Sequence, residues 1–384
     1  MHYWEQVAIF AELKLKTTMK RLFLFTALTI LLLATSCANS STTSTKRKAP
    51  QRQGWPDTYI VCADDWNIKT VIYGNLYGDV ANITITKYKV IDKFGKITKD
   101  KIEKKEHYIF NSKGDVIEGI DSDSNKYLYK YNSQGNIIEK TKYLSTGSLE
   151  NKTLYAHDAQ GNTIEEANYC ADGSLHEKIL YKHDLHGNKI EEAYYDNAGS
   201  PREYILAFIG NAFVGICKFL YTYDSRGNKI EETAYVNDGS IGYKMIYKYD
   251  SQNKCIEIAN YNRNGFLTEK LITKYDSRGN QIEEAHYNGN GSLDMKATYK
   301  YDYQANEKLY ESHYGDGSLG RKVLWKYDTQ GNIIECTHFN TNGSLGAKYI
   351  YKYDSQGNWI ELIEYGGEIM KPISMRERAI VYRK

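Results

Sequence analysis

A chain of 384 residues has room for one large domain or two ordinary ones, and its 50 basic and 48 acidic side chains leave a formal net charge of only +2. That balance excludes the one-signed surface that nucleic-acid binding requires. Thirty-six tyrosines and 30 glycines with only four prolines exclude a disordered chain and point to many strands joined by tight turns.

The N-terminus reads as an address. Met19-Lys20-Arg21 is a basic start, and the apolar run from Leu22 to Leu33 is too short to span a bilayer. Ala34-Thr35-Ser36-Cys37 follows and resembles a bacterial lipobox. The resemblance implies cleavage before Cys37 and lipid on its thiol, with residues 1–37 as the signal region and Met19 as the start. Several acyl chains make a stable anchor. By Gram-negative sorting rules, Ala38 after the lipid cysteine implies the outer membrane, facing the periplasm or the cell surface. Ala38 to Gly54 has almost no apolar residue and reads as a flexible tether of roughly 20–25 Å.

Residues 55–126 read as an N-terminal cap with irregular repeats, including a strand at Ile83–Val90 and looser turns at Asp92 and Asn111. From 127 to 365 the chain repeats. Asn132 and then Asp158, Asp184, Asp224, Asp250, Asp276, Asp302, Asp328 and Asp354 open turns spaced 26 residues apart, except for a gap of 40 after Asp184. A fixed period of this kind is the mark of a repeat architecture. Each unit holds two turns. Asp caps the first turn, and Gly three residues later accepts φ > 0, the pattern of a type I turn closed by a Gly bulge. Asn253 in place of Gly is the next-best left-handed residue. Ala305 is a worse one, so a distorted turn is expected there.

Pairing Asp with the residue four later sorts the side chains into two faces. One is expected to receive the Tyr before Asp, the Tyr two earlier, an apolar residue, and the Ala or Thr and Tyr of the next strand. The other receives Lys248, Ile246, Ile256, the Glu residues and their equivalents. Cross-strand aromatic pairs on the tyrosine face add roughly 0.2–1 kcal/mol each, and neighbouring units share their burial.

The recurrent Tyr-x-Tyr-Asp-x-x-Gly-Asn is similar to the YD (Rhs-type) repeat of bacterial secreted and surface proteins. The likeness covers about residues 127 to 365. It implies an all-β fold of tandem β-hairpins, a long twisted or spiral antiparallel sheet that in the large toxin members encloses a C-terminal toxin. Here the sequence stops at Lys384, just after the last repeat, and about nine full units are too few to enclose an effector. The family's usual Gly-Arg is Gly-Asn in this chain.

Two segments break the period. The insert near 201–217 contains Tyr204 to Cys217, the most apolar stretch outside the signal, and Gly210-Asn211 can turn it into an extra hairpin. Such a hairpin either projects as a contact site or folds back on the sheet. Residues 366–384 read as a C-terminal cap whose charges shield a terminal sheet edge.

No residue set carries recognisable chemistry. The Glu165-Glu166, Glu191-Glu192, Glu231-Glu232 and Glu283-Glu284 pairs point to opposite faces of their strands and recur, which reads as a solvated ladder. His157 and His183 stand where Tyr precedes Asp, as structural replacements. The other histidines have no ligand spacing, and Cys62, Cys170, Cys217, Cys255 and Cys336 form no framework. No catalytic residue, cofactor or metal is expected. The function expected is a lipid-anchored, non-enzymatic binding or scaffold module of the cell envelope with a protein or glycan partner. The alternatives are a toxin- or effector-associated repeat protein and an envelope enzyme acting on polysaccharide.

Overall fold

The computed structural model describes residues 76–203, 205–209, 212–367 and 369–384. The signal region, Cys37, the tether and the first part of the N-terminal cap lie outside the described residues. The described chain forms 24 strands, from β1 (Val80–Lys93) to β24 (Lys371–Tyr382), and no helix.

The hairpins form as the turn chemistry dictates. At the Asp224 turn, Asp224 N–H donates to Asn228 O (2.9 Å) and Gly227 N–H donates to Asp224 O (3.0 Å). Asp224 Oδ1 accepts from the N–H groups of Arg226 and Asn228, both 2.9 Å. Its Oδ2 accepts from Asn228 Nδ2 at 2.9 Å, which explains the Asn of the motif. Gly227 has φ of 82° and Asn253 63°, so both substitute for one another as expected. The turn at Ala305 is distorted as predicted. Its positive φ moves to Asn306 (53°), and Asp302 pairs with Glu307 without the bulge that every neighbouring unit carries.

The tyrosine before Asp is a strut between units. Tyr249 donates its hydroxyl to Lys229 O (2.8 Å), Tyr275 to Cys255 O (3.0 Å), Tyr301 to Gln281 O (2.9 Å) and Tyr353 to Ile333 O (2.7 Å). His157 makes the same contact through Nε2 to Ile137 O (2.6 Å), so it is the structural replacement expected. The whole Tyr-Asp-x-x-Gly-Asn signature is thereby absorbed in building the wall.

Twenty-two strands form one antiparallel sheet in which each strand neighbours the next, apart from the separate hairpin of β10 (Ile205–Ile209) and β11 (Ala212–Ile216). The sheet does not stay open. β1 pairs on one side with β2 (Lys96–Phe110) and on the other with β24, from Val80↔Tyr382 to Lys89↔Ser374. The expected twisted or spiral sheet is therefore a closed barrel, and the expected C-terminal edge cap is its closing strand. The physical reason is the edge itself: joining the two ends satisfies a row of backbone donors and acceptors that an open ribbon leaves unpaired. A polar knot locks the seam. Asn358, 1 % exposed, accepts from Tyr77 N–H (2.8 Å) and donates to Tyr77 O (2.9 Å) and to the Tyr382 hydroxyl (2.7 Å). That hydroxyl in turn donates to Asp354.

Apolar residues gather in five separate clusters along the wall. Beyond sheet neighbours, the principal contact between elements among the described residues is β11 against β14 (Ile241–Tyr249). Twenty-two strands make a cylinder wider than its own side chains fill.

Candidate binding face

The bulge decides which side chains share a face. In β12 (Lys218–Tyr223) and β13 (Lys229–Tyr235), Thr222 pairs with Glu231 but Tyr223 pairs with Lys229, so one residue is skipped. That skip overturns part of the expected sorting. Thr233 and Tyr235 lie with Leu220 and Lys218, on the lysine face and not the tyrosine face. Counting across the turn without the bulge put the outgoing strand out of phase.

The lysine face is the outer one. Its lysines just before the tyrosine struts, such as Lys248, Lys274 and Lys352, are exposed, and each pairs with a glutamate across its turn. Several glutamates bridge to a second lysine, as in Lys130–Glu139–Lys152 (2.9 and 3.1 Å) and Lys274–Glu283–Lys296 (both 2.9 Å). At the other end of the face, lysines lie over rings, as Lys218 over Tyr235 and Lys270 over Tyr287. A belt of charge in most units is incompatible with the continuous apolar band of a lipid-facing barrel.

The tyrosine face is concave, where side chains converge, and it is the more buried. Tyr247, Tyr299 and Tyr351 are all buried there. The second glutamate of each pair also turns this way. Glu232 is 2 % and Glu284 6 % exposed, so half of the expected solvated ladder is desolvated. Desolvation demands partners. Glu232 accepts from Lys229 Nζ (2.8 Å) and the Tyr243 hydroxyl (3.1 Å). Glu192 accepts from Lys189, from Tyr194 and from the Tyr221 hydroxyl, the last at 3.4 Å. Glu166 accepts from the Tyr181 hydroxyl (3.0 Å), and Glu284 contacts Gln281 and His286, both at 2.7 Å.

Tyrosines complete this cluster. Lys229 Nζ lies 4.6 Å from the Tyr247 ring centre and 5.5 Å from that of Tyr221, and Lys189 lies 5.4 Å from Tyr181 and 5.3 Å from Tyr221. Burial pushes the phenols of Tyr181, Tyr221 and Tyr243 well above their ordinary range, and the neighbouring Glu166, Glu192 and Glu232 push them further. These hydroxyls therefore stay protonated and serve as donors. Sequence reasoning missed the cluster, yet a signal was present. A lysine five residues after Asp and a glutamate eight after share a face only because of the bulge, and Lys189/Glu192 and Lys229/Glu232 both show that spacing.

The two units carrying these pairs flank the insert. The insert forms the expected hairpin, and it folds back on the concave wall rather than projecting. Ile216 is fully buried against Ile179, Tyr194, Phe219 and Ala234 of the tyrosine face. Gly215 faces the Glu203 carboxylate so closely that a Cβ there would collide with it. Cys170, Cys217, Cys255 and Cys336 are free thiols, and among the described residues no group of acids, histidines and cysteines could hold a metal.

No protein-family model matches the sequence, and no curated protein matches it. Among solved structures, the chain is similar to the TcdB2–TccC3 complex at 13% identity and a TM-score of 0.27, over 74% of this chain and 20% of that one. It is similar to a porin-like protein from Bacteroides uniformis at 9% identity and a TM-score of 0.27, over 79% and 96%. A protein of unknown function from Bacteroides fragilis matches at 17% identity and a TM-score of 0.23, over 31% and 94%. The chain spans about a fifth of the length of the first of these.

Proposed function

We propose that this protein is a non-enzymatic binding module of the bacterial cell envelope. On this reading lipid on Cys37 holds it at the outer membrane, and its ligand sits on the concave wall around β8 (Leu175–His183), β9 (Lys189–Asp196) and β12 to β14. One observation carries the reading. The consensus residues are consumed by turns and struts, whereas Lys229/Glu232 is a buried ion pair and Lys189/Glu192 a partly buried one, both set among tyrosines, an arrangement the wall does not need. A buried ion pair adds little net stability compared with apolar packing. Rigid rings beside fixed donors and acceptors suit a glycan, whose hydroxyls bond and whose C–H faces stack. Binding to a glycan array, followed by loss of at least about tenfold in affinity for Tyr181→Ala or Glu192→Gln, is the expected result. Glycan binding unaffected by either change would remove the concave wall from consideration.

A second reading, an effector-associated shell protein, draws support from closure, because a closed wall encloses space. Co-purification with the product of an adjacent gene, protected from protease inside the barrel, would favour it over the glycan reading. The anchor has its own test: Cys37→Ala should release the protein from the membrane fraction, and retention there would defeat the lipoprotein assignment.

A further inference from the structure

The hairpin of β1 and β2 departs from the barrel in a way the repeats do not. β24 follows β1 only as far as Lys89↔Ser374, and β3 (Val116–Ile120) follows β2 only from His107↔Ile120. The rest stands beyond the wall as a two-stranded ribbon. Its base is fixed by Val90, packed with Ile363 and Met375 and flanked by Tyr88, Ile97 and Tyr365.

The ribbon's tip breaks three local rules together. Lys93 pairs with Lys96, leaving Phe94-Gly95 as a two-residue loop. Phe94 has φ of 55° and Gly95 81°, the turn for which Asn-Gly is the usual choice. A phenylalanine held left-handed is a true conformational outlier. Its ring recovers nothing by burial, for Phe94 is fully exposed at 108%. Lys93 and Lys96 put like charges directly opposite one another, which is also unfavourable. From Lys87 to Lys105 the ribbon carries eight lysines against three acids. Lys87 and Lys99 are engaged by Glu103 and Glu377. Asp92 Oδ1 accepts from Gly95 N–H (2.8 Å), which steadies the loop backbone but neither buries Phe94 nor separates the two lysines. Strain of this kind clusters at functional sites.

We propose that this ribbon docks on an anionic phospholipid surface. Phe94 enters the boundary between headgroups and acyl chains, while Lys93 and Lys96 take the headgroup phosphates. Charge complementarity selects this occupant. A cationic stem concentrates at a negative surface, and an unburied aromatic ring at its tip gains by leaving water. The positive φ aims the ring away from the ribbon, where a type I′ Asn would leave nothing to insert. This inference does not depend on the ligand of the concave wall.

A readout local to residue 94 tests it in the full chain, where the apolar Leu22–Leu33 run makes bulk vesicle binding uninformative. Phe94→Trp protein is mixed with vesicles of phosphatidylcholine alone or with added phosphatidylglycerol, and the unsubstituted protein is subtracted to remove its own tryptophans. On the anionic vesicles the emission should shift to the blue and be quenched by brominated acyl chains. Lys93→Gln or Lys96→Gln should each weaken that response about fivefold, and added salt should release it. Emission that stays water-like on anionic vesicles overturns the proposal. So does an equal response on both vesicle types, or one that the lysine changes leave alone. Phe94→Asn separates strain from docking: it should raise the thermal midpoint, and a fall would show that the ring has a structural role instead.

Discussion

Replacing Glu232 with Gln removes one charge and keeps the shape. Lys229, 9 % exposed, then holds its ammonium against a neutral partner at the 2.8 Å position, while Tyr243 retains an acceptor. Breaking a buried pair in this way costs about 3–5 kcal/mol. The Tyr247 and Tyr221 rings near Lys229 Nζ offset about 1–2 kcal/mol, so the net loss should be about 3 kcal/mol. Lys229→Met in the same background should recover most of it, since no charge then remains buried. The cycle of the two single changes and the double should give a coupling of about 2–3 kcal/mol. A repeat wall can open locally, so hydrogen exchange at β13 and β14 amides is the better assay, with denaturant unfolding beside it. A Glu232→Gln loss below about 1 kcal/mol is what a solvated surface pair gives. It would show that water fills the concave wall there, and the buried-pair argument would fail with it.

Tyr249→Phe deletes a strut to Lys229 O and should cost about 1 kcal/mol, read as a lower thermal midpoint; no change would mean that the struts are ornamental. Asp158 and Asp224 are held below the ordinary aspartate value of 3.8, first by the side chains of Asn162 and Asn228. Their contribution is present above that value and is lost as pH falls through the lower folded values. Asn228→Ala should therefore return the Asp224 titration, followed by NMR, toward 3.8. At the alkaline end the sign reverses. Burial, then Glu166, pushes Tyr155 up to about 12 from 10.0, and burial, then the Asp354 hydrogen bond, does the same for Tyr382. Stability is complete below pH 10.0, where unfolded tyrosines begin to ionise, and declines as pH rises toward 12. The phenolate signal of Tyr155 and Tyr382, isolated as the difference from Tyr155→Phe and Tyr382→Phe proteins, should rise together with unfolding and not before it. Phe94→Asn should stabilise by about 1 kcal/mol in thermal or denaturant melts.

The hairpin unit was legible because it is local. Asp224, Gly227 and Asn228 act within five residues of one another, and a period of 26 repeats the same instruction down the chain. The odd turn at Ala305 was legible for the same reason. Closure was not, because it depends on how curvature adds up over 22 strands until β24 meets β1, and no residue pair in sequence announces that. The faces were half legible. Tyr247 and Lys248 alternate as strand geometry requires, but one bulge residue reverses the phase of the outgoing strand in the regular units, as at Thr222/Tyr223 and Lys248/Tyr249. That single offset hid the cluster, since it is what moves Lys229 beside Glu232 and sends Tyr235 outward.

Closure also divides the labour of the chain. In an open ribbon both faces meet solvent alike, and alternation alone sets each side chain's surroundings. Curving the sheet crowds one face and spreads the other. The outer face then tolerates a lysine and a glutamate in unit after unit, each pair solvated. On the inner face the same carboxylate chemistry must be satisfied in full or lost. Units such as that of Ile258 meet the demand with an apolar side chain at the inner glutamate position, whereas those of Glu192 and Glu232 keep the charge and build a lysine and tyrosines around it. These two units also flank the insert that folds across the wall. A barrel needs none of this to close. The inner glutamates that are paired with a lysine coincide with the one interruption of the period, which is why the proposed binding sites are exceptions to the repeat, the wall beside Ile216 and the tip beyond Val90.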